Sequence, residues 1–338
     1  MSRHPDGESD AGRRHTAPRH DRRPLPLRVG TRASPLALIQ TRLFMARLTG
    51  FCPVLRQAEA FEEHAIATTG DRIQDKRLAE VGGKGLFAKE IHEALLDGRV
   101  DFAVHSLKDL ETDLPPGIVL ACCMAREDAR DALILASHCG PVDPADPLAA
   151  IPPGGAVGTS SVRRAAQLLH RRPDLSITLM RGNVQTRLHK LRSGAMDATL
   201  LALAGLRRLG LAHEAAAILD PEIMVPAAGQ GIVGITVRAE DTELRDLLSG
   251  IEDPDAAAVS RAERALLAAL DGSCRTPIGG HAEIRADGTL RLVGMVATED
   301  GTFLLKRAVV GRPADAARLG RELGRELRRD SPASIFAV

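Results

Sequence analysis

From Leu27 onward, short apolar runs alternate with stretches whose apolar residues recur at helical spacing, and that alternation predicts an α/β fold. Leu27-Arg28-Val29-Gly30 reads as a strand and Pro35 to Leu48 as a helix. Ile66 to Thr69 reads as a strand, Leu86 to Leu96 as a helix, and Asp101 to His105 as the next strand. Ile118 to Met124 reads as a buried strand, so Cys122 and Cys123 are expected to pack and not to react. Residues 1–24 are rich in Arg, His, Asp and Pro and show no hydrophobic period; a mobile tail without catalytic role is expected there.

Two segments of the pattern repeat in the same order. Val29-Gly30-Thr31-Arg32-Ala33-Ser34 is similar to Val157-Gly158-Thr159-Ser160-Ser161, each a strand, a Gly-Thr turn and then a helix. Leu95-x-x-Gly98-x-x-Asp101 matches Leu191-x-x-Gly194-x-x-Asp197, each a helix end followed by a strand. Two similar α/β lobes follow from this, with a ligand cleft between them where strand ends and helix starts converge; chance similarity of short motifs is the alternative. The Pro-, Gly- and Asp-rich stretch from Ser137 to Pro153 is expected to mark the passage between lobes. Pro226-Ala227-Ala228-Gly229-Gln230-Gly231 is expected to mark the return, which makes the first lobe discontinuous. After Asp253-Pro254 come a helix, a loop with Cys274, strands near Ala282 to Ile284 and Leu290 to Ala297, and a closing helix from Ala314 to Arg329, the pattern of a small α+β domain. The division expected is a first domain of residues 25–124 and 230–250, a second of 130–225 and a third of 254–338.

The totals narrow the chemistry. A chain of 338 residues with 44% hydrophobic content exceeds what one core organises. Its five cysteines (52, 122, 123, 139 and 274) form no CxxC pair, so neither a disulfide framework nor a zinc site is indicated, and no His pair has metal-ligand spacing. The sequence offers no apolar run of membrane-spanning length and no secretory signal core, so the cytoplasm is the expectation and a membrane is not a partner. A net charge of +1, with seven Phe and no Trp or Tyr, argues against nucleic acid as a partner. Anion recognition must then come from locally placed arginines.

Candidate chemistry clusters at turns. In Leu270-Asp271-Gly272-Ser273-Cys274-Arg275-Thr276-Pro277, the sulfur is expected to project from a loop, and Arg275 favours its thiolate; an idle cysteine is the alternative. Lys108 and Asp109, directly after a strand in His105-Ser106-Leu107-Lys108-Asp109, form an acid–base pair at its mouth, or else a solvated pair. Gly158-Thr159-Ser160-Ser161-Val162-Arg163-Arg164 places hydroxyls, free N–H groups and two arginines at a helix start, a site suited to anions. Arg181-Gly182-Asn183-Val184-Gln185-Thr186-Arg187 repeats that chemistry, and Arg32 with Ser34 supplies a third instance. Each alone reads as an ordinary cap with a surface arginine; together they point to a multiply anionic ligand. Val81-Gly82-Gly83-Lys84-Gly85-Leu86-Phe87 lacks the spacing of a phosphate loop and reads as a turn or lid.

Taken together, VGTRASPLAL, VGGKGLFAKE, AVHSLKDL, GTSSVRR, LMRGNVQTRL, PAAGQGIVGI and DGSCRTPIGG resemble the porphobilinogen deaminase (hydroxymethylbilane synthase) family, in order from about Leu27 to the C-terminus. The resemblance implies three domains, the first two periplasmic-binding-protein-like lobes with a cleft between them and the third a small α+β unit. It implies a transferase acting as a monomer that joins four porphobilinogens head to tail and releases ammonia and then hydroxymethylbilane. Cys274 would hold a dipyrromethane cofactor covalently and Asp109 would be the catalytic acid–base residue, with Lys108 beside it. Lys108 and Asp109, with Ser106, Thr159, Ser160, Ser161, Arg163, Arg164 and Arg187, would also hold the cofactor. Arg32, Ser34, Arg181, Arg187 and Arg208 would bind substrate, with Phe87 and Lys84 in the active-site loop. Glu111 stands where the family often has Pro, and Asp271, Ser273 and Arg275 replace Glu, Gly and Gln around the cysteine.

Overall fold

The computed structural model describes residues 25–56, 59–72, 85–271 and 276–336. The chain first lays down β1 (Leu27–Arg32), β2 (Phe61–Ile66), β3 (Phe102–Ser106) and β4 (Ile118–Cys123). It then crosses to a second sheet for β5 (Asp131–Leu135), β6 (Ala156–Gly158), β7 (Ser176–Thr178), β8 (Ala198–Ala202) and β9 (Ala217–Ile218), and returns with β10 (Val233–Arg238). The first sheet has the order β2-β1-β3-β10-β4 and the second β7-β6-β8-β5-β9. In each sheet the three strands on one side are parallel, and the fourth runs antiparallel to both of its neighbours. That fourth strand is in both cases the one entered directly after a crossing. Each lobe is therefore completed by chain arriving from the other.

The repeat holds at atomic detail. Gly98 and Gly194 both take left-handed backbone, with φ of 68° and 78°, and their N–H groups donate to Leu95 and Leu191 O, each at 3.1 Å. Asp101 N donates to Arg28 O and Asp197 N to Ala156 O, both at 2.8 Å. The two carboxylates accept in return from Arg28 N at 2.9 Å and Ala156 N at 2.6 Å. The shared sequence spacing thus builds one clamp twice, at the entry of β3 against β1 and of β8 against β6.

Helix α1 (Pro35–Phe51) starts where its sequence signals it, with Ser34 Oγ accepting from Ala37 N and Pro35 in the first turn. It seats Phe44 and Leu48 on the sheet, with Phe44 edge-on to Phe102 at 5.4 Å between ring centres. The helices that follow are α2 (Lys89–Leu96), α3 (Val162–Arg171), α4 (Val184–Arg192), α5 (Leu203–Arg208) and α6 (Thr242–Ser249). The C-terminal unit packs α7 (Pro254–Leu270) and α8 (Ala316–Arg329) against an antiparallel sheet of β11 (Ile278–Ile284), β12 (Leu290–Ala297) and β13 (Leu304–Gly311). The chain is accordingly α/β, with two lobes of one topology and a small α+β unit.

Several expected boundaries move. The strand expected over Ile66 to Thr69 lies earlier, at Phe61–Ile66, and Thr69–Arg72 is a helical turn. The strand is an edge, so its Glu62, Glu63 and His64 are tolerated and conceal the pattern. Ser137 to Pro153 lies within the second lobe between β5 and β6; the first crossing is instead the charged stretch of residues 124–130. Strand β13 was not expected, because Lys306 and Arg307 interrupt its apolar run.

Candidate functional site

Strand β3 ends in a single helical turn, Leu107–Asp109, which carries both residues of the expected acid–base pair. Asp109 Oδ2 lies 3.4 Å from Arg32 Nη1, and Arg32 comes from the end of β1, the parallel neighbour of β3. The same guanidinium donates to Asp71 Oδ1 at 2.5 Å and Oδ2 at 3.3 Å, and lies over the Phe87 ring at 4.2 Å. Burial disfavours its charge, but the bond to Asp71 and the charges of Asp109 and Asp71 more than compensate, and its pKa stays above the ordinary value. Arg32 is thus a fixed cation between two carboxylates with an aromatic ring under it.

Lys108 points toward the second lobe and donates to Gln230 Oε1 at 3.3 Å. Burial pushes its ammonium down to about 8; Asp109 and Asp131 oppose that shift, and Arg164 and Arg163 add to it. Ser106 Oγ exchanges hydrogen bonds with the amide of Gln40, at 3.0 and 3.1 Å, which ties the end of β3 to α1.

Across the cleft, Ser161 caps α3 by accepting from Arg164 N at 3.4 Å, and Thr159 Oγ1 accepts from Ser161 N at 3.1 Å, with Ser160 between them. Arg163 and Arg164, in the first turn of α3, are both 5% exposed and converge on Asp131, at 2.9 and 2.8 Å. Arg163 also donates to Val225 O at 2.5 Å, so both its terminal nitrogens serve the fold. Arg164 gives its other terminal nitrogen to Leu200 O at 2.8 Å, but its buried Nε has no hydrogen-bond partner among the described residues. Asn183 caps α4, and Arg187 on its first turns donates Nε to Gly182 O at 2.9 Å. Burial, then the neighbouring charges of Arg164 and Arg181, press the Arg187 guanidinium down to about 10, with Asp109 opposing. Arg181 reaches the other lobe and donates to Gly70 O at 3.1 Å.

Of the residues expected to act together, Arg32, Phe87, Lys108, Asp109, Arg164, Arg181 and Arg187 therefore lie about one region, while the Ser106 hydroxyl is bonded to Gln40. Arg208 does not join them. It stands at the end of α5, donates to Gly231 O at 2.7 Å, and lines a hollow of about 580 Å³ with Leu43, Arg47 and Met124 beside the first crossing. Arg163 lies beside the cluster, close enough to Lys108 to act on its charge, with its terminal nitrogens held by Asp131 and Val225 O. Cys274 and Lys84 lie outside the described residues. Asp71, Asp131 and Gln230 were not expected at the site. Gln230 stood within a quoted motif, whereas Asp131 opens a strand and carried no signal.

Among the described residues no group of His, Cys, Asp and Glu is arranged to hold a metal ion, and no helix is long and apolar enough to cross a membrane. Among the described residues, the orphaned Nε of Arg164 and the Arg187 guanidinium, whose charge its neighbours oppose, leave capacity to bind anionic oxygens. Fold and site together define a two-lobed protein that gathers arginines from both lobes around one turn carrying Lys108 and Asp109. Residues 27–246 match the family described as "Porphobilinogen deaminase, dipyromethane cofactor binding domain" and residues 257–329 "Porphobilinogen deaminase, C-terminal domain". The chain belongs to the porphobilinogen deaminase family. It is 47% identical to the porphobilinogen deaminase of Paracoccus denitrificans (strain Pd 1222), over 92% of this chain and 96% of that protein. It is 47% identical to that of Syntrophobacter fumaroxidans (strain DSM 10017 / MPOB), over 89% and 94%. The chloroplastic porphobilinogen deaminase of Oryza sativa subsp. japonica is 43% identical over 92% of this chain and 85% of its own.

Proposed function

We propose that this chain joins four porphobilinogen molecules head to tail, releases ammonia at each addition, and frees hydroxymethylbilane by hydrolysis. The observation that carries the reading is the convergence of Arg32, Arg164, Arg181 and Arg187 on the turn holding Lys108 and Asp109, with Arg164 Nε unpartnered among the described residues. Porphobilinogen carries two carboxylates, and charge-assisted bonds of about 1.5–3 kcal/mol each offset the repulsion as the bound chain lengthens. A dipyrromethane tethered through Cys274 supplies the carbon nucleophile to which the first substrate is joined. The donor set fits such a group, since among the described residues the cationic side chains of the cluster outnumber its carboxylates.

In this reading Asp109 accepts the pyrrole N–H and holds its negative charge where positive charge develops as the amine departs. Arg32 fixes that carboxylate at 3.4 Å, and Asp71 keeps Arg32 from collapsing onto it. Lys108, with its proton affinity lowered, stands within reach of the same proton traffic. Thr159, Ser160 and Ser161 with the α3 terminus, and Ser34 with α1, add neutral donors for carboxylate oxygens. Phe87 shields Arg32 from water on one face.

The division into residues 25–124 with 230–250, 130–225 and 254–338, a monomeric state and a cytoplasmic site belong to the same proposal; sedimentation equilibrium at more than one protomer mass would remove the monomer. Intact-protein mass spectrometry tests the core of it. The expected result is a mass increase of two linked pyrroles that disappears in Cys274→Ser. An unmodified chain with full turnover overturns it, and reversible ligand binding without that mass supports a non-enzymatic anion binder instead.

A further inference from the structure

Between Lys108 of the first lobe and Asp131 of the second lies the side chain of Gln230, which exposes no surface. Its amide nitrogen donates to Ala129 O at 2.6 Å and to Asp131 Oδ1 at 2.8 Å. A backbone carbonyl and an ionised carboxylate can only accept, so the amide has one workable orientation, nitrogen toward them. The amide oxygen then faces Lys108, whose ammonium donates to it at 3.3 Å. The backbone is fixed as firmly: Arg126 Nε donates to Gln230 O at 2.8 Å, and Arg126 itself pairs at 2.7 Å with the fully buried Glu263 of the C-terminal unit. Gly229 and Gly231 flank the residue with φ of 75° and 90°. A Cβ on Gly229 would lie 3.0 Å from Lys108 N, and one on Gly231 would run into the Glu127 carbonyl. The Gly-Gln-Gly sequence is therefore what lets this amide enter between the two lobes.

We propose that Gln230 is a positioning residue of the site, whose amide couples the Lys108 ammonium in the first lobe to the Asp131–Arg163–Arg164 cluster in the second. The proposal rests on the functional reading above and adds to it a link between the lobes. The groups facing Lys108 are Asp109 from its own turn, Asp131 from β5, and Arg163 and Arg164 from α3. Two of these are acids and two are bases, so the balance at Nζ is close, and a hydrogen-bond acceptor there favours the charged form. Because Arg163 and Arg164 hold the other oxygen contacts of Asp131, a ligand carboxylate that draws on Arg164 acts through Asp131 and this amide on Lys108.

The test uses full-length protein as isolated, labelled with 13C at lysine Cε. Six lysines stand in the sequence, so the spectrum is sparse, and loss of one resonance in Lys108→Gln assigns it. Gln230→Met removes both the acceptor and the donor at nearly equal volume, and Lys108 is expected to titrate roughly half a pH unit or more below wild type. Gln230→Glu loses the amide donor but keeps an acceptor, and Lys108 is expected to titrate at or above the wild-type pH. A role confined to packing moves both variants alike or neither, and either result overturns the proposal. If Gln230→Met does not fold, a titration of Gln230→Glu below wild type overturns it equally. Intact mass recorded on the same samples separates the two readings: absence of the pyrrole adduct removes the function, while the titration still decides Gln230.

Discussion

Replacing Asp131 by Asn isolates the charge that holds the second lobe's arginines. The Asp131 side chain is fully buried and accepts from Arg163 at 2.9 Å, Arg164 at 2.8 Å and Gln230 at 2.8 Å. Burial works against its charge, but the charges of Arg163 and Arg164 and the bonds from Arg164 and Gln230 hold its carboxyl well below the usual carboxylate range. Asn keeps the shape but turns an amide donor toward a guanidinium donor, and leaves both cations without a counter-charge. Removing one partner of a buried ion pair costs about 3–5 kcal/mol. Arg163 retains Val225 O and Arg164 retains Leu200 O, so the lower end, about 3 kcal/mol, is expected. That is roughly a hundredfold in the folded-to-unfolded ratio, out of a total stability of about 5–15 kcal/mol. Urea unfolding followed by circular dichroism at neutral pH, with a shared slope, measures it. The pH dependence gives a second handle. A carboxylate with a depressed folded pKa adds stability above its unfolded value, about 3.9, and loses it as pH falls through the lower folded value. Wild type should therefore lose its advantage over Asp131→Asn on acidification. A difference under about 1 kcal/mol at pH 7 would refute the assignment of Asp131 as the counter-ion of both arginines.

Asp109→Asn should fold normally, since Arg32 keeps Asp71, yet ammonia release should fall by about 10²–10⁴-fold; near-normal turnover would take Asp109 out of the chemistry. Gly231→Ala should destabilise by about 1–3 kcal/mol, because φ is 90° and the new Cβ meets the Glu127 carbonyl; unchanged thermal unfolding would show that the crossing relaxes freely. His92, 2% exposed, is pushed down to about 4 by burial, so the unfolded chain takes up its proton first as pH falls below about 6.5. Wild type should thus lose about 2 kcal/mol more than His92→Gln between pH 7 and 5, and equal losses in urea would exclude His92 as a source of acid sensitivity.

What the sequence made legible follows from how each feature is encoded. The strand-to-helix turns at Arg32, Arg164 and Arg187 were visible because cap residue, glycine and arginine sit within a few positions, and local steric rules place them together; Lys108 and Asp109 were visible as a charged pair directly after an apolar strand. The duplication was visible for the same reason: the spacing from Leu95 to Asp101 and from Leu191 to Asp197 is a local clamp that any copy must repeat. Asp131 was invisible. It opens a strand, Asp-Ala-Leu-Ile-Leu, and as text it is an ordinary strand end. Its meaning comes from the first crossing, which delivers β5 into the second lobe so that its first residue faces the start of α3. Gln230 arrives at the same point from the second crossing, between glycines whose positive φ values a sequence reading can suggest but not aim. Asp131 and Gln230 are thus supplied by the chain segments that pass between the lobes. Tertiary topology alone, not composition or periodicity, decides which charges those segments bring into contact, so the arginines were legible as ligands for anions while the acid that already holds two of them was not.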